Sequence, residues 1–286
     1  MTIAITGATG QLGRLVIEKL KARTGAEPIV ALARRPEKAA DLGVEERLFD
    51  YNATDTLAPA LTGVDQLLLI SGSEIGQRTA QHMAVIAAAK ATGVQHIAYT
   101  SVLHGATNPA PVTPEHIATE DALAASGIAT TLLRNGWYME NYTMGMAAAL
   151  EHGVLIGASG NAQISAATRE DYADAAVAVL IDPTKQGQTY ELAGDAAFTM
   201  AKAAGELSRQ SGKNIPYVDM SEADYAAALA QTGMPPEFAG FLAAMDTGTA
   251  TGALFDDGKA LSGLIGRSTT PLSTVVANLL GTTSSR

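Results

Sequence analysis

The apolar run Ile3-Ala4-Ile5-Thr6 leads directly into Gly7-Ala8-Thr9-Gly10-Gln11-Leu12-Gly13, after which Leu12, Leu15, Val16 and Leu20 recur at helical spacing. Strand, glycine turn, helix is the order this predicts. Without a Cβ, Gly7 can make the tight turn, Gly10 can let backbone N–H groups approach a diphosphate, and Gly13 can bring helix and strand close together. An anion there would sit at a helix N-terminus, where unpaired N–H groups and the helix dipole favour it. The motif therefore predicts a dinucleotide cradle made by Gly7, Thr9, Gly10, Gln11, Leu12 and Gly13, against the plainer reading of three glycines in an ordinary turn.

Which dinucleotide is bound depends on the end of the second strand. That strand reads Ile29-Val30-Ala31-Leu32-Ala33 and ends in Arg34-Arg35-Pro36. An acidic residue there would accept hydrogen bonds from the ribose hydroxyls and repel a 2′-phosphate. Two guanidinium groups bind phosphate through charge-assisted hydrogen bonds instead, so NADPH is expected over NADH. Arg34, first after the strand, is the expected ligand; the other reading makes both arginines a solvated helix start.

Strands and helices keep alternating through the first half. Strands are expected at 46–49, 66–71, 96–101 and 130–134, and helices at 54–62, 78–92 and 115–126. This is the signature of an α/β, Rossmann-type doubly wound parallel sheet, with its ligand at the carboxyl ends of the strands. The loop Ser71-Gly72-Ser73-Glu74 after the fourth strand is expected beside the cofactor ribose and nicotinamide, or else is a plain surface turn. Beyond Asn135 the pattern loosens into an aromatic and Met-rich segment and an Ala-rich helix. Short strands follow at 154–157 and 163–165, a helix at 169–181, a strand at 188–192, and helices near 199–211, 221–232, 236–245 and 271–280. The run at 247–252 reads as a mobile loop. The expected division is a NADP-binding domain over 1–182, with 136–152 contributing to an interdomain cleft, and a smaller C-terminal α/β lobe over 183–286. Segment 163–181 is free to return to the first domain.

Composition narrows the function. With no cysteine, disulfides, thiolate catalysis and cysteine metal sites are excluded. The net charge of -10 disfavours a nucleic-acid partner, and 16 acidic against 8 basic residues from Glu140 onward place the excess away from the proposed cradle. No apolar run approaches the roughly 20 residues that span a bilayer, and the first residues lack a signal-peptide pattern. Membrane insertion is not expected, and a cytoplasmic location is.

The glycine motif, the Arg-Arg pair, His96-Ile97-Ala98-Tyr99-Thr100-Ser101, Leu132-Leu133-Arg134-Asn135-Gly136-Trp137-Tyr138 and the late Leu254-Phe255-Asp256-Asp257 together resemble the bacterial type-2 NAD(P)H:quinone oxidoreductases. These are NmrA-like, atypical members of the short-chain dehydrogenase/reductase superfamily, related to triphenylmethane reductases. The resemblance spans nearly the whole chain. It implies an NADPH enzyme that reduces quinones by direct hydride transfer, with the acceptor between two lobes and no flavin or metal. A non-catalytic NADP(H)-binding redox sensor of the NmrA-like type, and a reductase of another flat electrophile such as a triphenylmethane dye, stay open. So does a homodimer.

The wider superfamily uses a Tyr followed four residues later by a Lys, and none of the eight tyrosines here has that partner. Atypical relatives with a catalytic Lys carry it four residues before a Glu, at positions that hold His116 and Glu120 in this chain. One helical turn apart, these two can interact, and the carboxylate would raise the imidazole pKa. His116 is thus a candidate general acid or a hydrogen-bonded structural histidine. Quinone reduction asks little of such groups, because water can protonate a hydroquinone anion. Tyr138 is the second catalytic candidate and is also expected among the cofactor contacts. Trp137 and Tyr142 are expected to line a flat acceptor slot or to fill interdomain core, and Asn135, Asn141 and Arg169 to donate hydrogen bonds at the cofactor.

Overall fold

The structure, a computed structural model, describes residues 1–25 and 28–283. Its strands are β1 (Ile3–Ile5), β2 (Ile29–Ala33), β3 (Glu45–Leu48), β4 (Gln66–Leu69), β5 (His96–Val102), β6 (Ala129–Asn135), β7 (Leu155–Gly157), β8 (Thr189–Leu192) and β9 (Tyr217–Asp219). The helices are α1 (Gln11–Thr24), α2 (Leu57–Leu61), α3 (Arg78–Thr92), α4 (Thr113–Ser126), α5 (Glu140–His152), α6 (Arg169–Ile181), α7 (Met200–Ser211), α8 (Glu222–Gln231), α9 (Pro236–Thr249), α10 (Ala260–Ile265) and α11 (Leu272–Thr283).

Seven strands form one sheet in the order β3-β2-β1-β4-β5-β6-β8, every pair parallel. β1, β2 and β4 are buried along their whole length, which is why they read as unbroken apolar runs rather than alternating ones. One face packs on α1, α6 and α10 through Val16, Ile17, Leu20, Ala176, Val177 and Leu261. The other packs on α2, α3 and α4 through Leu61, Val85, Ile86, Ala89 and Leu123. Helix α6 is buried from Asp171 to Leu180 and starts in a capping box between Thr168 and Asp171. The direction of winding reverses between β1 and β4, so the crevice at their carboxyl ends is the topological switch point.

A separate parallel pair, β7 and β9, belongs to a small lobe whose core is Met139, Met146, Leu155, Phe198, Leu207 and Val276. β8 closes the main sheet from beyond position 182, and β7 joins the small sheet from before it, so the chain crosses between the two units more than once.

Two local expectations change. Residues 163–165 do not form a strand; Ile164 makes a single bridge with Phe198, because Ser165 is committed to Leu254 and Gly194 instead. The run 247–252 is not a free loop: 247–249 close α9, where the Thr247 and Thr249 hydroxyls donate to the Ala243 and Met245 carbonyls, and Thr249 is buried. Strand β9 and helix α10 have no sequence signature, because three and six residues respectively carry too little periodicity.

Candidate active site

The glycine turn sits at the switch point. Gly7 takes φ 58°, in the left-handed region that a side chain disfavours, and its carbonyl accepts from Gly10 N at 2.9 Å. A Cβ on Gly13 would run into Gly7 O and lie 2.9 Å from Ala8 Cα, so α1 approaches β1 as closely as backbone allows. Gly10 caps α1 in extended conformation with no side chain bonded to the first turn, which leaves the helix N-terminus open to an anion. Gly7, Gly10 and Gln11 are exposed, Thr9 is half-buried, and Leu12 anchors the turn in the core.

Arg34 follows β2 at the same edge, with its side chain exposed and paired to Glu74 at 3.0 Å. Glu74 also accepts from Asn52 Nδ2 at 3.2 Å and Gln81 Nε2 at 2.9 Å, and these hydrogen bonds hold its carboxyl below the usual range. The loop after β4 is fixed from below as well. Ser71 N donates to Thr100 Oγ1 at 2.9 Å, and Gly72 O accepts from Arg78 Nε at 2.8 Å. Ser73 is exposed above it.

At the end of β6 the Asn135 side-chain oxygen Oδ1 is buried without a hydrogen-bond partner, while its backbone carbonyl accepts from Leu103 N at 2.9 Å. Tyr138 stands three residues on, edge-on to Tyr172 at 5.4 Å, and the Arg169 guanidinium lies 4.2 Å from its ring centre. Burial raises the Tyr138 hydroxyl above its ordinary pKa, with Asn135 and the Arg169 charge pulling the other way, so it stays protonated at neutral pH. Arg169 is held by Asn141 Oδ1 at 2.8 Å and by Glu140 at 3.4 Å. Trp137 and Tyr142 pack against the small-lobe core, Tyr142 edge-on to Phe198 at 6.0 Å.

His116 and Glu120 part company. His116 Nδ1 lies 2.7 Å from the Tyr99 hydroxyl, and burial, reinforced by the Arg78 charge and His82, pushes its pKa down to about 3 rather than up. Glu120 turns to the strand ends, accepting from Ser101 Oγ at 2.5 Å and from Arg134 at 3.0 and 2.6 Å. The carboxylate found a bidentate guanidinium, a stronger partner than an imidazole. Arg134 also reaches Glu191 at 2.8 Å, whose other oxygen accepts from His104 N at 2.6 Å. Between this corner and the small lobe lies a concavity of about 420 Å³ lined by His104, Thr107, Pro109, Thr251, Gly252 and Ala253. None of the proposed acceptor residues lines it. Among the described residues no cluster of three or more His, Asp or Glu side chains could hold a metal ion, and no helix is long and apolar enough to cross a membrane.

A model of the NAD(P)H-binding family matches residues 7–183. Quinone oxidoreductase 2 of Escherichia coli (strain K12) is 54% identical over 280 residues, covering 97% of this chain and 98% of that protein. The crystal structure of the E. coli NADPH-dependent quinone oxidoreductase QOR2 complexed with NADPH superposes with a TM-score of 0.95 over 97% of this chain and 99% of its own, at 54% identity. Citrobacter sp. triphenylmethane reductase complexed with NADP(H) follows at 36% identity and a TM-score of 0.94, covering 97% and 99% of the two chains. By the span of the family match and the level of this identity, the chain belongs to the NAD(P)H-binding family and, within it, to the quinone oxidoreductases of the quinone oxidoreductase 2 type.

Proposed function

We propose that this protein reduces quinones with NADPH, taking hydride directly onto an acceptor held between the sheet and the small lobe. The observation that carries the reading is the glycine cradle at the switch point with Arg34 beside it, in a chain 54% identical to a quinone oxidoreductase. The residues fit the cofactor. Gly10 and Gly13 leave the approach to α1 free of side chains, Arg34 supplies a cation for a 2′-phosphate, and Asn135 Oδ1 is a buried acceptor that an amide donor would satisfy. When bound, NADPH supplies the hydride. Tyr138 then presents a protonated hydroxyl and a flat face at the end of β6, and Arg169 behind its ring offers positive charge where a hydroquinone anion develops. No side chain need act as an acid, since water can deliver the final proton.

Tyr138→Ala tests the reading. It should raise the quinone KM or lower kcat well beyond tenfold while the Kd for NADPH changes by less than about threefold, because the phosphate cradle is untouched. Purified protein should be colourless, and NADPH deuterated at the transferred position should slow turnover with 1,4-benzoquinone where chemistry limits the rate. NADPH binding without quinone-dependent oxidation would leave a sensor instead. The 36% identical triphenylmethane reductase makes a cationic dye the competing acceptor, so the panel should contain both classes.

Arg34→Ala should weaken NADPH binding by about 1.5 to 3 kcal/mol, the scale of a lost charge-assisted hydrogen bond, and leave NADH nearly unchanged. The loss falls toward the lower end because Arg34 exchanges one anionic partner, Glu74, for another. Equal losses for the two dinucleotides, measured by fluorescence titration, would refute the assignment. His116→Ala should lower kcat by clearly less than the 10² to 10⁴ of a lost general acid, since the ring is buried and held by Tyr99.

A further inference from the structure

We infer that His82 is a positioning residue for the cofactor loop: its bare Nε2 accepts the Gly72 N–H and so fixes the peptide on which the loop after β4 turns. The inference rests on the reading of that loop as part of the NADPH site.

Gly72 N lies 3.0 Å from His82 Nε2, and a backbone amide can only donate, so Nε2 carries no proton. The proton of the neutral ring is then on Nδ1, which sits 3.0 Å from Thr119 Oγ1. Thr119 is free to accept it because its own hydroxyl donates to Glu115 O at 2.8 Å. Both ends of the ring thus demand the same tautomer. The ring is fully buried and wedged edge-on between Tyr51 at 6.1 Å and Tyr99 at 5.5 Å, so it cannot flip. Burial and the Arg78 charge hold its pKa at about 3, which keeps it neutral at physiological pH.

The same helices hold the rest of the loop. Arg78 Nε binds Gly72 O at 2.8 Å, so both faces of this residue are fixed, and Glu115 Oε1 accepts from Gly76 N and Arg78 N at 3.1 Å each. A Cβ on Gly72 would lie 3.6 Å from Nε2 and 3.3 Å from Gln81 Oε1, so the loop rests directly on α3. Above it, Ser71, Ser73 and Glu74 belong to the proposed cofactor contacts, 34–74 pairing included. His82 touches none of the reacting groups and acts through the loop alone.

Two polar variants of similar size separate this role from bulk packing. His82→Gln places an amide oxygen near Nε2 and can accept the Gly72 N–H, whereas His82→Asn reaches only the Nδ1 position. His82→Asn should raise the Kd and KM for NADPH about tenfold or more with kcat at saturating NADPH retained, and His82→Gln should stay within about threefold of wild type. Equal effects of the two substitutions, or wild-type binding in both, would overturn the inference. Ring ¹⁵N NMR of the wild-type protein gives a second readout independent of any variant's folding. It should show His82 neutral with its proton on Nδ1 at pH 7, and a proton on Nε2 would be decisive against the proposal. A wild-type protein without NADPH affinity would overturn the cofactor reading itself, whatever tautomer is seen.

Discussion

Gly13→Val should cost the protein its NADPH binding and roughly 3 kcal/mol or more of stability. The atoms that a Cβ at position 13 would strike are Gly7 O, Ala8 Cα and Gly7 C, all backbone and all in the turn proposed as the cradle. None can move aside by a rotamer change, so α1 must shift off β1 or the turn must open. Gly10→Val differs in kind. Its Cβ would stand 3.1 Å from Gly7 O at an exposed position, which calls for a shift of a few tenths of an ångström while still placing a branched side chain over the phosphate approach. That variant should lose NADPH and NADH alike with a smaller stability loss. Gly205→Ala, exposed on α7 with nothing within 4 Å, is the control and should be neutral or slightly stabilising. Urea denaturation with parallel NADPH titration measures all three, and a wild-type midpoint for Gly13→Val would contradict the close approach of α1 to β1.

The glycine turn was legible because each of its glycines answers a local demand set by neighbours within seven residues. The parallel sheet was legible for a related reason: β1, β2 and β4 are apolar on both faces, and the helices between them fall at regular intervals. The site's polar wiring was not. Helical spacing puts residues 116 and 120 on adjacent turns, yet their partners are Tyr99 on β5 for one and Arg134 on β6 for the other. Spacing along one helix limits what two side chains can reach, and the choice among reachable partners is made by other elements. Residues 137 and 142 show the same limit. An aromatic pair beside a strand end serves a slot or a core equally well, and here Met146, Phe198 and Leu207 draw them toward the small lobe. His82 carried no signal at all, since its partners are a backbone amide and a threonine hydroxyl on another helix. The ion-pair cluster of Arg267 with Asp171 and Asp174, 96 and 93 residues apart in sequence, is equally silent before folding.

Stability should fall steeply as pH drops from 7 to 5, by about 3 to 6 kcal/mol, because three buried histidines fold in the neutral form. Burial holds His82 and His116 at about 3 and His96 at about 4, with the Arg78 charge adding to the first two. His96 is fixed between Gln66 Oε1 at 3.2 Å and Thr131 Oγ1 at 2.8 Å. In the unfolded chain each imidazole takes up a proton near pH 6.5, while the folded protein refuses it until far lower. The unfolded state therefore binds more protons throughout this window, so stability is full above about pH 6.5 and is lost progressively on the way down, through about pH 4 for His96 and about pH 3 for His82 and His116. Carboxylates act later: Glu45, held below its usual range by its hydrogen bond to Arg47, surrenders its contribution only as pH falls through the carboxylate range. Trp137 is the sole tryptophan and reports unfolding at the low concentrations needed near the pI of about 4.9. Against urea, its fluorescence should show the midpoint dropping between pH 6.5 and 5, with about one third of the slope removed in His96→Gln. A flat midpoint over that range would mean that the buried rings are reached by solvent or already charged.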